Sequence, residues 1–370
     1  MQRGRGIDGD SALDAAVAAV HEDLAGLVAR LGAGKNAADR AMSQFIGDFL
    51  GNLAARGSTG AADVMIRLPL LVHAAETGHP AGGRSAGVLH LLWWTAARYL
   101  DDLADSTSSI AADPVRYNSG ILAAIGAGSH LPIRLMQEAD LPSATMCAVL
   151  AELSRGWLDG ISGQLLDYVA RPADASLGSV LAGYRGKTGA PYAMSTAMGA
   201  CLAGAGPDRV DRWRDVGGRF GVLRQLTNDQ RDLMTGRDED IANGIATYLV
   251  VHLLRSVPDR ERAALLALHA AAATSATARD EFKARLLSPE ILQGYTTAVA
   301  AMVAEVHAAL DDLGGAEPYA TSLHDLLDTA MLAFPLPGMK TDAFENPPSP
   351  VPWRAPATVP PDGRRGTADL

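Results

Sequence analysis

Apolar residues recur along this chain at the three-and-four spacing of amphipathic helices, and no alternation of Val, Ile and Thr with polar residues lasts long enough to make a strand. The pattern predicts an all-α protein. A first amphipathic helix runs from about Ser11 to Leu31 and stops at Gly32-Ala33-Gly34. A second spans Ala37 to Arg56, with Phe45, Ile46, Phe49 and Leu50 on its apolar face, and Gly57-Ser-Thr-Gly60 separates it from a third over Ala61 to Glu76. The run His90 to Leu100 reads as a buried helix, and a long helix is expected from Leu141 to Arg171. Further helices are expected over Ala246 to Arg255, Asp259 to Leu286, Pro289 to Leu313 and Pro318 to Phe334. Both ends differ from this pattern. Met1 to Asp10, with Arg3, Arg5, Asp8, Asp10 and three glycines, reads as a flexible leader without the apolar core of a signal peptide. Nine of the twenty prolines fall between Pro335 and Pro361, a density no helix survives, so residues 335–370 read as a disordered, Pro-rich tail. The segment Pro347 to Trp353 is either a docking site for a partner or a passive extension. One helical domain, residues 11–334, remains.

Composition removes some function classes. A chain of 370 residues with 48% hydrophobic content can bury a large core, and its Ala and Leu richness favours helix. A net charge of −10, without clustered Lys and Arg, argues against a nucleic-acid surface. No run of about 18 uncharged apolar residues is present, which removes a membrane span. Cys147 and Cys201 have no metal-ligand spacing and are expected to pack in the core, as in a reducing cytoplasm.

The chemistry-bearing stretch is Asp101-Asp102-Leu103-Ala104-Asp105, at the end of the His90 to Leu100 helix. Positions i, i+1 and i+4 lie on one side of a helix, so three carboxylates gather at an end that the helix dipole already makes negative. Such a group is either a solvated acidic helix end or the seat of a hard cation. Mg²⁺ suits it, since that ion takes a few carboxylates, water and phosphate oxygens. The spacing recurs in Asn228-Asp229-Gln230-Arg231-Asp232, again closing an apolar helical run. Two acidic helix ends facing across a bundle could hold one diphosphate between metal ions.

This constellation resembles the trans-isoprenyl diphosphate synthase (polyprenyl synthetase) family. The resemblance implies an isoprenoid synthase-type helical bundle with a central active-site cavity, a homodimer, and two or three Mg²⁺ ions held by Asp101, Asp102, Asp105, Asn228, Asp229 and Asp232. It covers about residues 35 to 335 and extends to other segments. Gly163-Gln164-Leu-Leu-Asp167 looks like the family's Gly-Gln-x-x-Asp stretch, which places Gln164 and Asp167 beside the site. Tyr184-Arg-Gly-Lys187-Thr188-Gly189 resembles its Lys-Thr segment with a shortened Tyr-to-Lys interval. By that match Lys187 neutralises the departing diphosphate, and Thr188 marks either a kink that exposes polar groups to a carbocation or a purely structural bend. Gln225 lies one turn before the second cluster.

Departures cluster around the second diphosphate. The family's Gly-Lys-x-x-Arg-Pro stretch appears here as Asp63-Val-Met-Ile-Arg67-Leu-Pro69, without the lysine and with Arg67 displaced by one position. Arg67 is thus either a phosphate contact or a structural charge. The paired arginines after the first cluster are replaced by Ile110 and Ala111, and Ile245 stands where a lysine is expected. An aliphatic side chain cannot replace a guanidinium fork. The expected enzyme is therefore a Mg²⁺-dependent prenyltransferase that ionises an allylic prenyl diphosphate and transfers the prenyl group to an unknown acceptor, either isopentenyl diphosphate or another. A class I terpene cyclase on the same bundle is the alternative, although Asp232 and Gly236 do not match its usual second motif. A non-catalytic subunit is the third reading. The prenyl tail would run along the first cluster's helix, past Ala96 and Ala97, to Trp93 and Trp94, about 10–12 Å deeper. Those rings either floor the pocket and face a cation or pack between helices.

Overall fold

The structure is a computed structural model that describes residues 4–34, 36–55, 59–104 and 114–331, with the side chains of 4–10, 49–55, 59–63, 102, 104, 114–116, 168 and 234 left aside. Asp105, Ile110, Ala111, the Asp102 side chain and the Pro-rich tail lie outside the described residues. Among those described no strand occurs. The helices in chain order are α1 (Gly4–Gly32), α2 (Ala37–Ala55), α3 (Thr59–Thr77), α4 (Arg84–Ala104), α5 (Pro114–Ile125), α6 (Leu131–Glu138), α7 (Ser143–Val169) and α8 (Leu177–Tyr184). They continue with α9 (Ala190–Leu202), α10 (Pro207–Thr235), α11 (Glu239–Ala242), α12 (Tyr248–Ser256), α13 (Asp259–Ala272), α14 (Ala276–Leu286), α15 (Pro289–Leu313) and α16 (Tyr319–Ala330).

α9 is the axis of the bundle. Its residues are small or apolar, Ala190-Pro-Tyr-Ala-Met-Ser-Thr-Ala-Met-Gly-Ala-Cys201, and all but Ala193 are buried. A helix buried on every side needs neighbours all round, and α3, α4, α7 and α10 supply them. Trp213, Tyr192, Tyr295 and Phe282 are the largest fully buried side chains of the surrounding core.

Three expectations are corrected. α1 starts at Gly4, so residues 4–10 are helical rather than a leader; once the apolar face from Leu13 to Leu27 is docked, each further turn extends an existing helix without a new nucleation cost. The single helix expected over Asp259 to Leu286 is two, because the Ser275 hydroxyl accepts from the Ala278 N–H at 3.3 Å and caps a fresh start. Cys147 is exposed on α7, and only Cys201 packs inside. The bend expected at Thr188 is a π-helical turn, Arg185–Gly189, that joins α8 to α9. A second π turn, Gly126–His130, joins α5 to α6.

Candidate active site

α4, α7 and the Arg185–Gly189 turn meet at the first acidic cluster. Asp101, half-buried near the end of α4, accepts a hydrogen bond from the Gln164 amide at 2.9 Å. Gln164 and Asp167 sit three residues apart on one face of α7, so both reach the same side. Asp167 in turn accepts from the Lys187 ammonium at 2.9 Å. This contact requires α7 and the π turn to approach closely, which Gly163 permits: a Cβ there would sit 2.1 Å from the Lys187 nitrogen and 2.3 Å from the Gly186 carbonyl carbon. Burial pushes the Lys187 ammonium down, but the charges of Asp167, Asp101 and Asp240 and the hydrogen bond to Asp167 outweigh it, so its pKa is raised. The lysine is held as a cation among carboxylates from three elements.

The second cluster is tied to the same turn. Thr188, buried next to Lys187, donates its hydroxyl to the Gln225 amide oxygen, and Gln225 donates to Asp229 Oδ1 at 2.8 Å. The other Asp229 oxygen accepts from the Tyr184 hydroxyl, which itself accepts from the Tyr248 backbone N–H at 2.9 Å. Burial and the neighbouring Asp240 charge hold the Asp229 carboxyl well above the usual range, and hydrogen bonds from Tyr184 and Gln225 offset only part of this.

Past α10, Gly236 at φ 71° and Asp238 at φ 52° turn the chain back on itself. Asp238 is anchored to Lys283 at 2.7 Å, and the Asp240 backbone N–H donates to Asp232 Oδ2 at 3.2 Å. The Asp240 carboxyl is thereby half-buried near Asp232. Burial and the Asp232 charge push it up to about 6, with Lys187 pulling in the opposite direction. Asp232 Oδ1 is buried without a hydrogen-bond donor, the Arg237 guanidinium lying 3.4 Å away. Asn228 is exposed.

The donors of both clusters are oxygens, and an undonated buried carboxylate oxygen fits a hard divalent cation such as Mg²⁺. Among the described residues no three His, Cys, Asp or Glu side chains lie close enough together to hold an ion. That is compatible with Mg²⁺, which keeps several waters and uses one or two carboxylates plus substrate phosphates.

A model of the polyprenyl synthetase family matches residues 99–284, a span that contains both acidic clusters, Gln164, Asp167, Lys187 and Asp240. The chain belongs to the polyprenyl synthetase family. Solved structures share the fold. A geranylgeranyl pyrophosphate synthase superimposes with a TM-score of 0.73 at 17% identity, covering 86% of this chain and 98% of the other. A decaprenyl diphosphate synthase from Rhodobacter capsulatus gives 0.71 at 18%, covering 88% and 99%. A geranylgeranyl pyrophosphate synthase from Corynebacterium glutamicum complexed with isoprenyl diphosphate and magnesium also gives 0.71 at 18%, covering 87% and 99%. No curated protein sequence matches the chain. Membership of this family points to a prenyltransferase. No helix of the described residues is long and apolar enough to cross a membrane.

Within this chain, the residues read from the sequence separate into those that meet and those that do not. Asp101 with Gln164, Asp167 with Lys187, and Thr188 with Gln225 and Asp229 form three hydrogen-bonded groups, carried by neighbouring positions of α7 and by adjacent residues of the π turn. Arg67 instead pairs with Asp14 of α1 at 2.7 Å, the structural alternative of the two readings. Trp93 and Ala96 are buried at 3% and 0% exposure. The Trp93 ring lies against Trp157, with centroids 4.9 Å apart, and Ala96 is small because Gly128 of the second π turn presses on it, a Cβ on Gly128 falling 2.5 Å from the Ala96 methyl. Trp94, Ala97 and Asp101, spaced i, i+3, i+7, share a partly exposed face. Tyr184, the first residue of the Tyr-to-Lys segment, bonds Asp229, and Asp240, through its backbone N–H, bonds Asp232. The Gly236 turn sends the chain back toward α10 and brings Asp240 there.

Proposed function

We propose that the chain is a Mg²⁺-dependent prenyltransferase that ionises an allylic prenyl diphosphate and transfers the prenyl group to an acceptor other than isopentenyl diphosphate. The observation that carries this reading is Lys187, fixed on Asp167 at 2.9 Å within the fields of Asp101 and Asp240, at the junction of both acidic clusters. Asp101 from the first cluster, with Asn228 and Asp232 from the second, would hold the metal, with Asp102, Asp105 and Asp229 as further candidates. Bound Mg²⁺ would supply the positive charge that makes diphosphate a good leaving group. The Lys187 ammonium donates to the departing diphosphate, and Trp94 and Ala97 flank the prenyl tail on the face of α4 that carries Asp101. The acceptor half rests on lost cations: Arg67 is paired with Asp14, and Ile245 occupies a position where the related segment is basic. A second diphosphate would find little to bind it.

A homodimer is part of the same reading. Leu158, Ile161, Leu165 and Val169 of α7 are 51–68% exposed at helical spacing, with Leu122 of α5 at 70%. An apolar stripe of this kind on a polar chain fits a second copy of the chain, and sedimentation of Leu165→Lys as a monomer would support it.

The test is incubation of the purified chain with Mg²⁺ and geranyl, farnesyl or geranylgeranyl diphosphate, with and without isopentenyl diphosphate. Mg²⁺-dependent release of diphosphate, not accelerated by isopentenyl diphosphate, is expected. Efficient elongation with isopentenyl diphosphate would overturn the acceptor, and no metal-dependent release from any allylic substrate would overturn the whole reading.

A further inference from the structure

The two carboxylates kept by the second cluster are in opposite situations. Asp232 Oδ1 accepts no hydrogen bond and has only the ion pair with the exposed Arg237 guanidinium at 3.4 Å, whereas Asp229 has a donor on each oxygen, Gln225 at 2.8 Å on Oδ1 and the Tyr184 hydroxyl on Oδ2. The Tyr184 hydroxyl is itself saturated, because it accepts at 2.9 Å from the Tyr248 N–H in the first turn of α12, one of the N–H groups a helix cannot satisfy internally. Tyr184 is buried, and its phenol joins three elements: the end of α8, α10 and α12.

We infer that Tyr184 is a positioning residue that turns Asp229 inward, so that the second cluster offers a cation Asn228 and Asp232 and reserves Asp229 to orient Gln225. The inference rests on the metal-dependent reading above only for the identity of the cation. Its consequences follow from hydrogen-bond polarity. With its amide N–H committed to Asp229, Gln225 must present its oxygen to Thr188, and the Thr188 proton is then fixed toward Gln225. The hydroxyl beside Lys187 keeps only acceptor lone pairs for anything else in the site. Removal of the phenol oxygen leaves Asp229 Oδ2 and the Tyr248 N–H both buried without partners, which frees the carboxylate to rotate and the Gln225 amide to flip.

The experiment uses the full-length chain with Mn²⁺ and inorganic pyrophosphate as the probe, read by electron paramagnetic resonance, for Tyr184→Phe, Asp229→Asn and Asp232→Asn. Asp232→Asn should weaken Mn²⁺ binding by roughly thirtyfold or more, the scale for losing a ligand or its support, while Asp229→Asn stays within about threefold of the native chain. Tyr184→Phe should lower kcat by roughly tenfold with KM for the allylic substrate unchanged. An Asp229→Asn loss equal to that of Asp232→Asn would overturn the inference, as would native kcat in Tyr184→Phe. A crystal structure of the unliganded chain decides independently of turnover: Asp229 bonded to Tyr184 and Gln225 supports the assignment, and Asp229 turned toward Asn228 refutes it. A chain without prenyl transfer activity would thus sink the proposed function while this assignment is still judged.

Discussion

Gly163→Ala tests the close approach on which the site is built. The added methyl would lie 2.1 Å from the Lys187 nitrogen, 2.3 Å from the Gly186 carbonyl carbon and 2.5 Å from the Gly186 Cα. Ordinary contact begins near 3.4 Å, so α7 and the π turn must separate by about 1 Å or more, and no rotamer relieves the clash because every atom met is backbone. Overpacking of this kind costs about 1–3 kcal/mol or more. Alanine recovers about 1 kcal/mol of helix propensity on α7. The severity of the overlap puts the strain at the upper end, so net destabilisation of about 2 kcal/mol is expected. The same movement would stretch the 2.9 Å Lys187–Asp167 contact to about 4 Å, so turnover should fall with stability. Gly183→Ala is the control: its Cβ would meet nothing within 4 Å, and only the propensity gain, up to about 1 kcal/mol, should register. Urea unfolding followed by circular dichroism measures both. If Gly163→Ala unfolds at the same or a higher midpoint than Gly183→Ala, the close approach is not a constraint and the positioning argument for Lys187 fails.

His90 is fully buried, its Nδ1–H donated to the Met65 carbonyl at 3.0 Å and its Nε2 without a partner, and burial pushes its pKa down to about 4. The unfolded chain therefore takes up the proton first, so stability is complete above pH ~6.5 and is lost as pH falls toward 4, by about 3 kcal/mol; His90→Gln should flatten that slope in denaturation curves taken across this range. Asp240 acts with the opposite sign. With its folded pKa raised to about 6, the native state holds the proton longer than the unfolded state, and stability declines as pH rises from about 4 to 6. Asp240→Asn should accordingly be more stable than the native chain at pH 7, by on the order of 2 kcal/mol without metal, and indistinguishable at pH 4 in the same assay. Lys187→Met removes the one ammonium held among Asp167, Asp101 and Asp240, and kcat for diphosphate release should fall by roughly a hundredfold, with Lys187→Arg partly active; steady-state kinetics showing equal activity in the Met variant would exclude the leaving-group role.

Local patterning determined much of this protein. Helical periodicity is set by which residues lie three and four apart, so the all-α class and most helix positions were legible from the chain alone. The paired acidic clusters, the Gln164 and Asp167 spacing, and the bend at Lys187-Thr188 were also legible, because each is a short-range arrangement that a single helix or turn expresses. Tertiary structure decided which way side chains face and whom they meet. Arg67 pairs with Asp14, 53 residues away, and Ala96 packs directly against Gly128. Asp229 and Asp232, three residues apart, diverge because Tyr184 and Gln225 occupy both oxygens of one while a chain reversal at Gly236 brings Asp240 to the other. Hydrogen-bond partners and close backbone contacts depend on helices that adjoin only after packing, and no spacing along one helix encodes them.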